Sequence, residues 1–221
     1  SENYPEHVPK MKKFLVIFRG INTEYYDPNN INKKDRSKFF SKLNIEPGKK
    51  IILLPGRLTS WKGQELLIEA LNILKTNFGY KNFVAIILGS DQGRDTYKKK
   101  LVRLVEQHRL NNDVIFLEHA NSMPIAYSIA NVVVSASIEP EAFGRVSVEA
   151  QSMKKPIIAS DIGGSRETII NNRTGLLFKS ADPKSLSEKI DNIFRSDDTT
   201  LNAMGNSGRK NVEQKFNVEK M

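Results

Sequence analysis

Short apolar runs alternate along the chain with longer segments whose apolar residues recur every three to four positions. Runs rich in β-branched residues predict strands, and the longer spacing predicts amphipathic helices. The predicted strands are residues 14–18, 51–54, 83–88, 114–117, 132–135, 157–159 and 175–178. The predicted helices are residues 35–43, 63–77, 96–110, 123–130, 143–153, 182–194 and 201–216, with a short one after Gly163-Gly164. Asp35 and Asp182 are predicted to cap the helices that they begin.

This alternation of strands and helices is typical of βαβ units. The strand runs are apolar throughout, which indicates strands covered on both faces and hence a parallel sheet. We therefore expect an α/β fold, a doubly wound, Rossmann-like parallel sheet. Residues 1–28 are predicted to form a connecting segment with the first strand, and residues 29–221 one domain. Ligands of such sheets bind beyond the carboxyl ends of the strands, so the loops there are the place to search for chemistry.

The composition fits a soluble globular protein, with 39% hydrophobic and 27% charged residues. No apolar run approaches the roughly 20 residues that a membrane span needs. Residues 1–13 show no apolar stretch before a cleavage site, so no secretory signal is expected. The chain has no cysteine, which excludes disulfides and thiolate metal sites, and its three histidines are dispersed, so no metal cluster is expected.

The net charge of +9 has two interpretations. A basic face could attract phosphate, nucleic acid or anionic lipid. Alternatively, lysine is simply abundant throughout the chain. Acidic residues are interspersed with the basic ones nearly everywhere, which favours the second interpretation for most of the charge.

The first candidate loop runs from Gly56 to Gly63, between a predicted strand and a predicted helix. Gly56 permits a tight turn and a close backbone approach. Arg57 and Lys62 place two cations where a helix start adds unpaired N–H groups and a partial positive charge. This combination suits a diphosphate. An ordinary turn with two solvated cations is an equally simple interpretation.

The second candidate loop precedes the helix at residues 143–153 and holds Glu141. A carboxylate there can accept hydrogen bonds from sugar hydroxyls. The free N–H groups of Phe143, Gly144 and Arg145 can hold phosphate oxygens. The alternative is that Glu141 is only a favourable charge near a helix N-terminus.

Glu149 lies eight residues after Glu141, about two turns into the same helix. Either it is a solvated helix residue or it faces a ligand. It is flanked by Val146, Val148 and Ala150, so it lies on a largely apolar stretch. Charged residues are rarely buried without a partner, and a bound ribose would supply one.

The third candidate loop contains Gly163-Gly164, followed by Arg166 and Glu167. Two glycines between a strand and a short helix suggest a close approach of the backbone to another group. The signal is weak, because a simple turn also accounts for them.

Taken together, these motifs resemble the nucleotide-sugar site of retaining glycosyltransferases of family 4, which have the GT-B fold. The resemblance rests on Gly56-Arg57 with Lys62-Gly63, and on Glu141-Ala142-Phe143-Gly144 with Glu149. The Gly163-Gly164 loop and residues 174–177 follow in the same order. The stretch beginning Arg19-Gly20-Ile21-Asn22 is similar to the segment where such enzymes pass into this domain. The resemblance extends from about Lys13 to Phe216 and implies the C-terminal, donor-binding half of a GT-B fold.

By position, the resemblance implies that Arg57 and Lys62 hold the donor diphosphate, with Gly56 at the turn beside them. Glu141 would contact the transferred sugar. Glu141, Arg57 and Lys62 are the expected catalytic residues, since the two cations and the helix dipole would stabilise charge growing on the leaving diphosphate. The family's reaction retains the anomeric configuration and needs no metal. No cofactor is expected beyond the nucleotide-sugar substrate.

The remaining donor contacts are implied in the same way. The backbone N–H groups of Phe143 and Gly144 would lie near the sugar and phosphate, and Val146 by the ribose or phosphate. Glu149 would bind the ribose hydroxyls, and the loop near Ala120 would approach the base. Uridine, guanosine and adenosine diphosphates all remain candidate nucleotides.

Enzymes of this type have two similar α/β domains with the active site between them. The resemblance covers only the second, so the chain is expected to be an incomplete catalytic unit whose acceptor is bound mainly by the other domain. The family implies transfer of a hexose in cell-envelope polysaccharide or lipopolysaccharide synthesis. It also implies a cytoplasmic location, with peripheral membrane contact of the full protein and no nucleic-acid partner.

Two other functions are compatible with the sequence. A nucleotide-sugar epimerase has the same two-domain fold, but the Glu-x7-Glu spacing in its Phe-Gly context disfavours it. A non-catalytic, basic module that binds nucleotides or nucleic acid would fit the charge of +9. No nucleic-acid-binding motif is recognisable in the chain.

Overall fold

The computed structural model describes residues 19–93 and 95–220. Its centre is one sheet of six parallel strands in the order β3-β2-β1-β4-β5-β6. The strands are β1 (Lys50–Pro55), β2 (Phe83–Leu88), β3 (Val114–Leu117), β4 (Val132–Ser135), β5 (Ile157–Ser160) and β6 (Leu176–Phe178). The prediction of a parallel sheet is confirmed for these six strands. The strand predicted at residues 14–18 lies outside the described residues.

Helices connect the strands and cover both faces of the sheet. They are α1 (Lys33–Ser41), α2 (Gln64–Thr76), α3 (Asp95–Gln107), α4 (Met123–Ile129), α5 (Arg145–Ser152), α6 (Ser165–Thr168), α7 (Pro183–Arg195) and α8 (Asp198–Lys215). Each predicted helix is present, with ends that shift by a few residues. The largest shifts are at the end of α3 and at the start of α8. The α8 helix begins after Asp197, whose side chain accepts from the N–H of Thr200.

The predicted cap of α1 is wrong. The side chain of Asn32, not of Asp35, accepts hydrogen bonds from the N–H groups of Lys34 and Asp35. Both residue types suit the N-cap position, and the earlier one starts the helix. The cap predicted for α7 is confirmed, since Asp182 accepts from the N–H of Ser185.

The two faces of the sheet carry separate apolar cores, because successive strand side chains point to opposite sides. On β1, Ile52 and Leu54 pack on the side of α2, α3 and α7. Ile51 and Leu53 pack on the side of α4, α5 and α8. The strands are therefore covered on both faces, as their uninterrupted apolar runs predict.

The chain changes sides of the sheet between β1 and β4, which are neighbours through the pairs Ile52–Val132 and Leu53–Val133. The helix after β1, α2, packs on one face, and the helix after β4, α5, packs on the other. The loops that follow β1 and β4 therefore lead to helices on opposite faces of the sheet. Such a switch point is where doubly wound sheets leave a crevice for a ligand.

The segment before α1 is fixed against the far end of the chain. The N–H of Ile21 donates to the carbonyl of Phe216 at 2.8 Å. The guanidinium of Arg209 donates to the carbonyls of Thr23 and Tyr26 at 3.0 and 2.6 Å, and to that of Ser152 at 3.0 Å. One partly buried arginine of α8 thus joins this segment to the end of α5.

Gly63 allows the two switch-point loops to pack. It has φ 73°, and a Cβ there would lie 1.9 Å from the carbonyl oxygen of Ala136, in the loop after β4. Gly63→Ala is expected to lower the free energy of unfolding by about 3 kcal/mol, through the left-handed backbone and the displaced loop. Urea denaturation measures this change.

Gly79 provides the matched control, since it has φ 74° and a Cβ there would have no other atom within 4 Å. Gly79→Ala carries only the backbone cost of about 1 kcal/mol. Equal losses in the two variants would show that the contact with Ala136 does not matter.

Candidate functional site

Lys62 and Glu141 meet at the switch point. The Lys62 Nζ lies 2.8 Å from the Glu141 Oε1, and the two side chains are only 14% and 17% exposed. Ser137 donates a hydrogen bond to the same carboxylate oxygen. The Lys62 Nζ also lies 4.3 Å from the centre of the Trp61 ring, a cation–π contact. Two of the predicted catalytic residues are thus brought together from loops that are far apart in sequence.

The Lys62 ammonium has N–H donors left with which to bind an anion. An ammonium has three N–H donors, so Lys62 can bind Glu141 and a phosphate oxygen at the same time. The Lys62 stem passes over Gly56, where an added Cβ would lie 3.5 Å from the Lys62 Cδ, an ordinary packing distance. The partial burial of the pair strengthens its electrostatic interactions relative to an exposed ion pair.

The N-terminus of α5 lies in the same loop as Glu141. Gly144 precedes the helix with φ 73° and offers no side-chain cap. The N–H groups of Phe143, Gly144 and Arg145 have no hydrogen-bond acceptor among residues 19–93 and 95–220. They line a cavity of about 700 Å³ together with Glu141 and, from the preceding segment, Tyr25. Free N–H groups and the helix dipole make this position suitable for an anion.

The side chain of Arg57 is exposed and forms no hydrogen bond or ion pair within the described part of the chain. Its backbone is held, because the buried Gln64 donates through Nε2 to the Arg57 carbonyl at 2.8 Å. Tyr97 in turn donates to the Gln64 Oε1 at 3.3 Å. Sequence reasoning missed Gln64, whose only signal is a polar residue at the first position of α2. The guanidinium is therefore free to reach a ligand from a fixed loop.

Glu149 is buried, with 6% of its surface exposed, and its partners come from the protein. Tyr26 and Arg145 donate to Oε1 at 2.8 and 2.7 Å, and Tyr127 donates to Oε2 at 2.7 Å. Burial and the adjacent carboxylate raise the pKa of both tyrosine hydroxyls, which keeps them as donors. A carboxylate accepts about four hydrogen bonds, so one acceptor position of Glu149 has no partner among the described residues.

Glu149 has partners, as expected for a charged side chain on an apolar stretch, but they are side chains of the protein and not a ligand. Tyr26 lies 123 residues away in the chain and Tyr127 lies 22 away. No local pattern marks either tyrosine as its partner.

The Gly163-Gly164 loop approaches another part of the protein closely. The N–H of Gly164 donates to the carbonyl of Glu141 at 2.7 Å. A Cβ at Gly163 would lie 2.6 Å from that carbonyl oxygen, and one at Gly164 would lie 2.5 Å from the carbonyl carbon of Phe143. These glycines therefore position the loop that carries Glu141. Arg166 forms an exposed ion pair with Asp161 at 2.8 Å.

Ala120 and Val146 contribute no polar side chain. Both are half-buried and pack against the apolar core on the side of α4 and α5. Ala120 follows β3, which lies two strands from β1, or about 10 Å at the usual spacing between strands. A ligand that touches both Ala120 and Lys62 has to span these strands.

Residues 19–93 and 95–220 contain no group of three or more acidic or histidine side chains placed to hold a metal ion. Within the same residues, no helix combines the length and apolarity that crossing a membrane requires.

Comparison with known proteins identifies the family. Residues 35–211 match the sequence model of the glycosyl transferases group 1. The chain belongs to this glycosyltransferase family. All nine predicted site residues fall inside the matched range.

Individual glycosyltransferases support this assignment. The capsular polysaccharide biosynthesis glycosyltransferase CapM of Staphylococcus aureus is 30% identical over 188 residues, which is 85% of this chain and 47% of CapM. A glycosyltransferase structure from Rickettsia africae ESF-5 superimposes with a TM-score of 0.86 at 34% identity, over 93% of this chain and 53% of that one.

The Anabaena protein HepE in complex with UDP-glucose gives a TM-score of 0.84 at 27% identity, over 93% of this chain and 54% of HepE. The chain thus spans about half the length of the curated relatives it matches. These structures also confirm the expected Rossmann-like α/β fold of GT-B glycosyltransferases.

Proposed function

We propose that this chain is the donor-binding half of a retaining, family 4 glycosyltransferase, and that it holds a nucleotide-diphosphate sugar in the crevice between β1 and β4. The observation that carries the proposal is the contact of Lys62 with Glu141 beside the N-terminus of α5. A cation for the leaving diphosphate and a carboxylate for the sugar lie within 2.8 Å of each other. The cation can stabilise charge on the leaving diphosphate while the carboxylate orients the sugar beside it.

The proposed donor is a uridine diphosphate hexose. HepE, which has the same fold over 93% of this chain, forms complexes with UDP and with UDP-glucose. In the proposed arrangement, the diphosphate lies against Lys62 and the α5 N-terminus. The ribose takes the remaining acceptor position of Glu149, and the base extends toward the loop at Ala120.

Each residue then has a distinct part in the reaction. Arg57, Lys62 and the α5 N–H groups stabilise the negative charge that grows on the leaving diphosphate. Glu141 orients the sugar by accepting a hydrogen bond from a hydroxyl, while Ser137 and Lys62 hold its carboxylate in place. Fixed protein cations supply the charge stabilisation in this scheme, so no step in it uses a metal ion.

We further propose that the acceptor binds to a second domain, since the chain spans about half the length of its relatives. The isolated chain should then bind the donor but transfer its sugar poorly or not at all. Rapid transfer to an added acceptor by this chain alone would contradict that view.

CapM acts in capsular polysaccharide biosynthesis. By analogy with CapM, we propose that the full protein acts in cell-envelope polysaccharide or lipopolysaccharide synthesis, at the cytoplasmic side of a membrane.

A thermal-shift screen with UDP, GDP, ADP and their sugar conjugates tests the donor proposal. A ligand at a hundredfold excess over its dissociation constant stabilises the native state by about 2.7 kcal/mol. For a chain of this size, we expect UDP and UDP-glucose to raise the Tm by about 5–10 °C, and GDP and ADP by less.

The same screen separates the other functions. Salt-dependent binding of a single-stranded RNA, with no shift from any nucleotide, would favour a nucleic-acid-binding module. Conversion of a UDP-sugar to its epimer without an acceptor would favour an epimerase.

A further inference from the structure

A basic cavity lies at the amino ends of the strands, on the edge of the sheet opposite the donor crevice. It has a volume of about 550 Å³. Lys33 and Arg36 of α1 line one side of it, and Lys154 and Lys155, which connect α5 to β5, line the other. Ser128, at the end of α4, lies between them. We call the space between these four cations the basic cavity.

None of the four cations forms an ion pair with a carboxylate of residues 19–93 or 95–220. Other partly buried cations of the chain do, such as Lys62 with Glu141 and Arg209 with Asp27. The positive charge of the basic cavity is therefore uncompensated by these residues. A concave surface lined by one sign of charge concentrates counter-ions.

Lys155 is the most buried of the four cations. Its Nζ donates to the carbonyl of Ser128 at 2.8 Å, which uses one of three donors. Burial, and then the charge of Arg36, lower the pKa of Lys155 to about 8. A partly buried ammonium without a carboxylate is unfavourable, and a bound anion would compensate its charge.

The contact with Ser128 also has a structural explanation. A lysine near the end of a helix stabilises its last carbonyls and its dipole, and Lys155 does this for α4. That explanation does not account for Lys33, Arg36 and Lys154, which surround the same space without hydrogen bonds from their side chains within the described residues.

We propose that the basic cavity is a second anion site, specific for a phosphate-type oxyanion and separate from the donor crevice. Three exposed cations would surround the oxyanion, and Lys155 would donate to it from the floor of the cavity. The oxyanion belongs either to a small phosphorylated compound or to the headgroup of an anionic lipid.

Sulfate is a suitable probe, because its charge stays constant between about pH 7 and pH 9.5 while Lys155 loses its proton. The binding is followed by NMR of the backbone amides, at ionic strength held constant with chloride. We expect sulfate to shift the amides of Lys154 and Lys155 and to bind at least tenfold more weakly at the higher pH. The other charged side chains that line the basic cavity with Lys155 are Lys33, Arg36 and Lys154. Lys155→Met should abolish the pH dependence.

Two variants with the same change in net charge localise the effect. Lys33→Gln/Arg36→Gln/Lys154→Gln should weaken sulfate binding at least tenfold, and these exposed substitutions leave the cores intact. The control triple variant on α3 changes Lys99, Lys100 and Arg103 to glutamine and should bind as the parent does. Equal losses in both triple variants, or no sulfate binding by the parent, would overturn the proposal. Sulfate-induced amide shifts that disappear only in Arg57→Gln/Lys62→Gln would also overturn the proposal, because the sulfate would then bind in the donor crevice.

Vesicles distinguish the two sources of the oxyanion. Co-sedimentation with phosphatidylglycerol vesicles but not with phosphatidylcholine vesicles, lost in the Lys33/Arg36/Lys154 triple variant, would assign the site to a lipid headgroup. Sulfate binding without vesicle binding would assign it to a small phosphorylated compound. If vesicles bind the two triple variants equally, the lipid assignment is overturned.

Discussion

Glu149→Ala is expected to lower the free energy of unfolding by about 4 kcal/mol, a large fraction of the stability of a typical domain. The substitution leaves the hydroxyls of Tyr26 and Tyr127 without their acceptor, and Tyr127 is fully buried. Each unsatisfied buried group costs about 1–3 kcal/mol, and the cavity left by the side chain adds to this. Arg145 contributes little, because its side chain is 73% exposed. Urea denaturation measures the change.

Glu149→Gln is the matched control, since it keeps the shape and an acceptor for one tyrosine. It should cost about 1–2 kcal/mol. Adding Tyr26→Phe and Tyr127→Phe to Glu149→Ala should recover part of the loss, because the unsatisfied hydroxyls are then gone. A loss below about 1 kcal/mol in Glu149→Ala would mean that the two tyrosines do not depend on this carboxylate.

Arg57→Gln/Lys62→Gln is expected to weaken the binding of UDP by about a thousandfold. Two charged hydrogen bonds to the diphosphate, at about 1.5–3 kcal/mol each, give roughly 4 kcal/mol in total. The fold should be retained, since Arg57 is exposed and Gln64 holds its backbone. The glutamine at position 62 keeps an N–H donor for Glu141 in place of the ammonium. Isothermal titration calorimetry measures the affinity.

Lys99→Gln/Arg103→Gln on α3 is the control for overall charge, because it also removes two positive charges, in this case from an exposed helix surface. It should reduce affinity less than about threefold, the scale of a screened long-range effect. If both double variants weaken UDP binding equally, general electrostatic attraction rather than a specific site explains the affinity.

The fold was predictable because its signal is local. Runs such as that of β2 are apolar at every position and are buried at every position. The candidate loops were predictable for a similar reason, since glycines and charges follow directly after strands. The cap at Asn32 instead of Asp35 shows the limit of this reasoning, because two good cap residues stand close together and the pattern does not choose between them.

The partners within the site were not predictable, because they depend on contacts between distant segments. Glu149 binds a tyrosine 123 residues earlier in the chain, and Lys62 meets Glu141 only because β1 and β4 are neighbours. For the glycines at 163 and 164, the sequence leaves a close approach and a simple turn open, and the structure shows a close approach to the loop that carries Glu141. The basic cavity likewise joins cations of α1 with those after α5, which are far apart in the sequence.

A crystal structure of the chain with bound UDP would show directly where the donor lies. We expect a diphosphate within hydrogen-bonding distance of Lys62 and of the N–H groups of Phe143, Gly144 and Arg145, with the ribose at Glu149. UDP bound elsewhere, for example in the cavity of about 540 Å³ that Lys100 and Arg103 line between α2 and α3, would contradict this expectation.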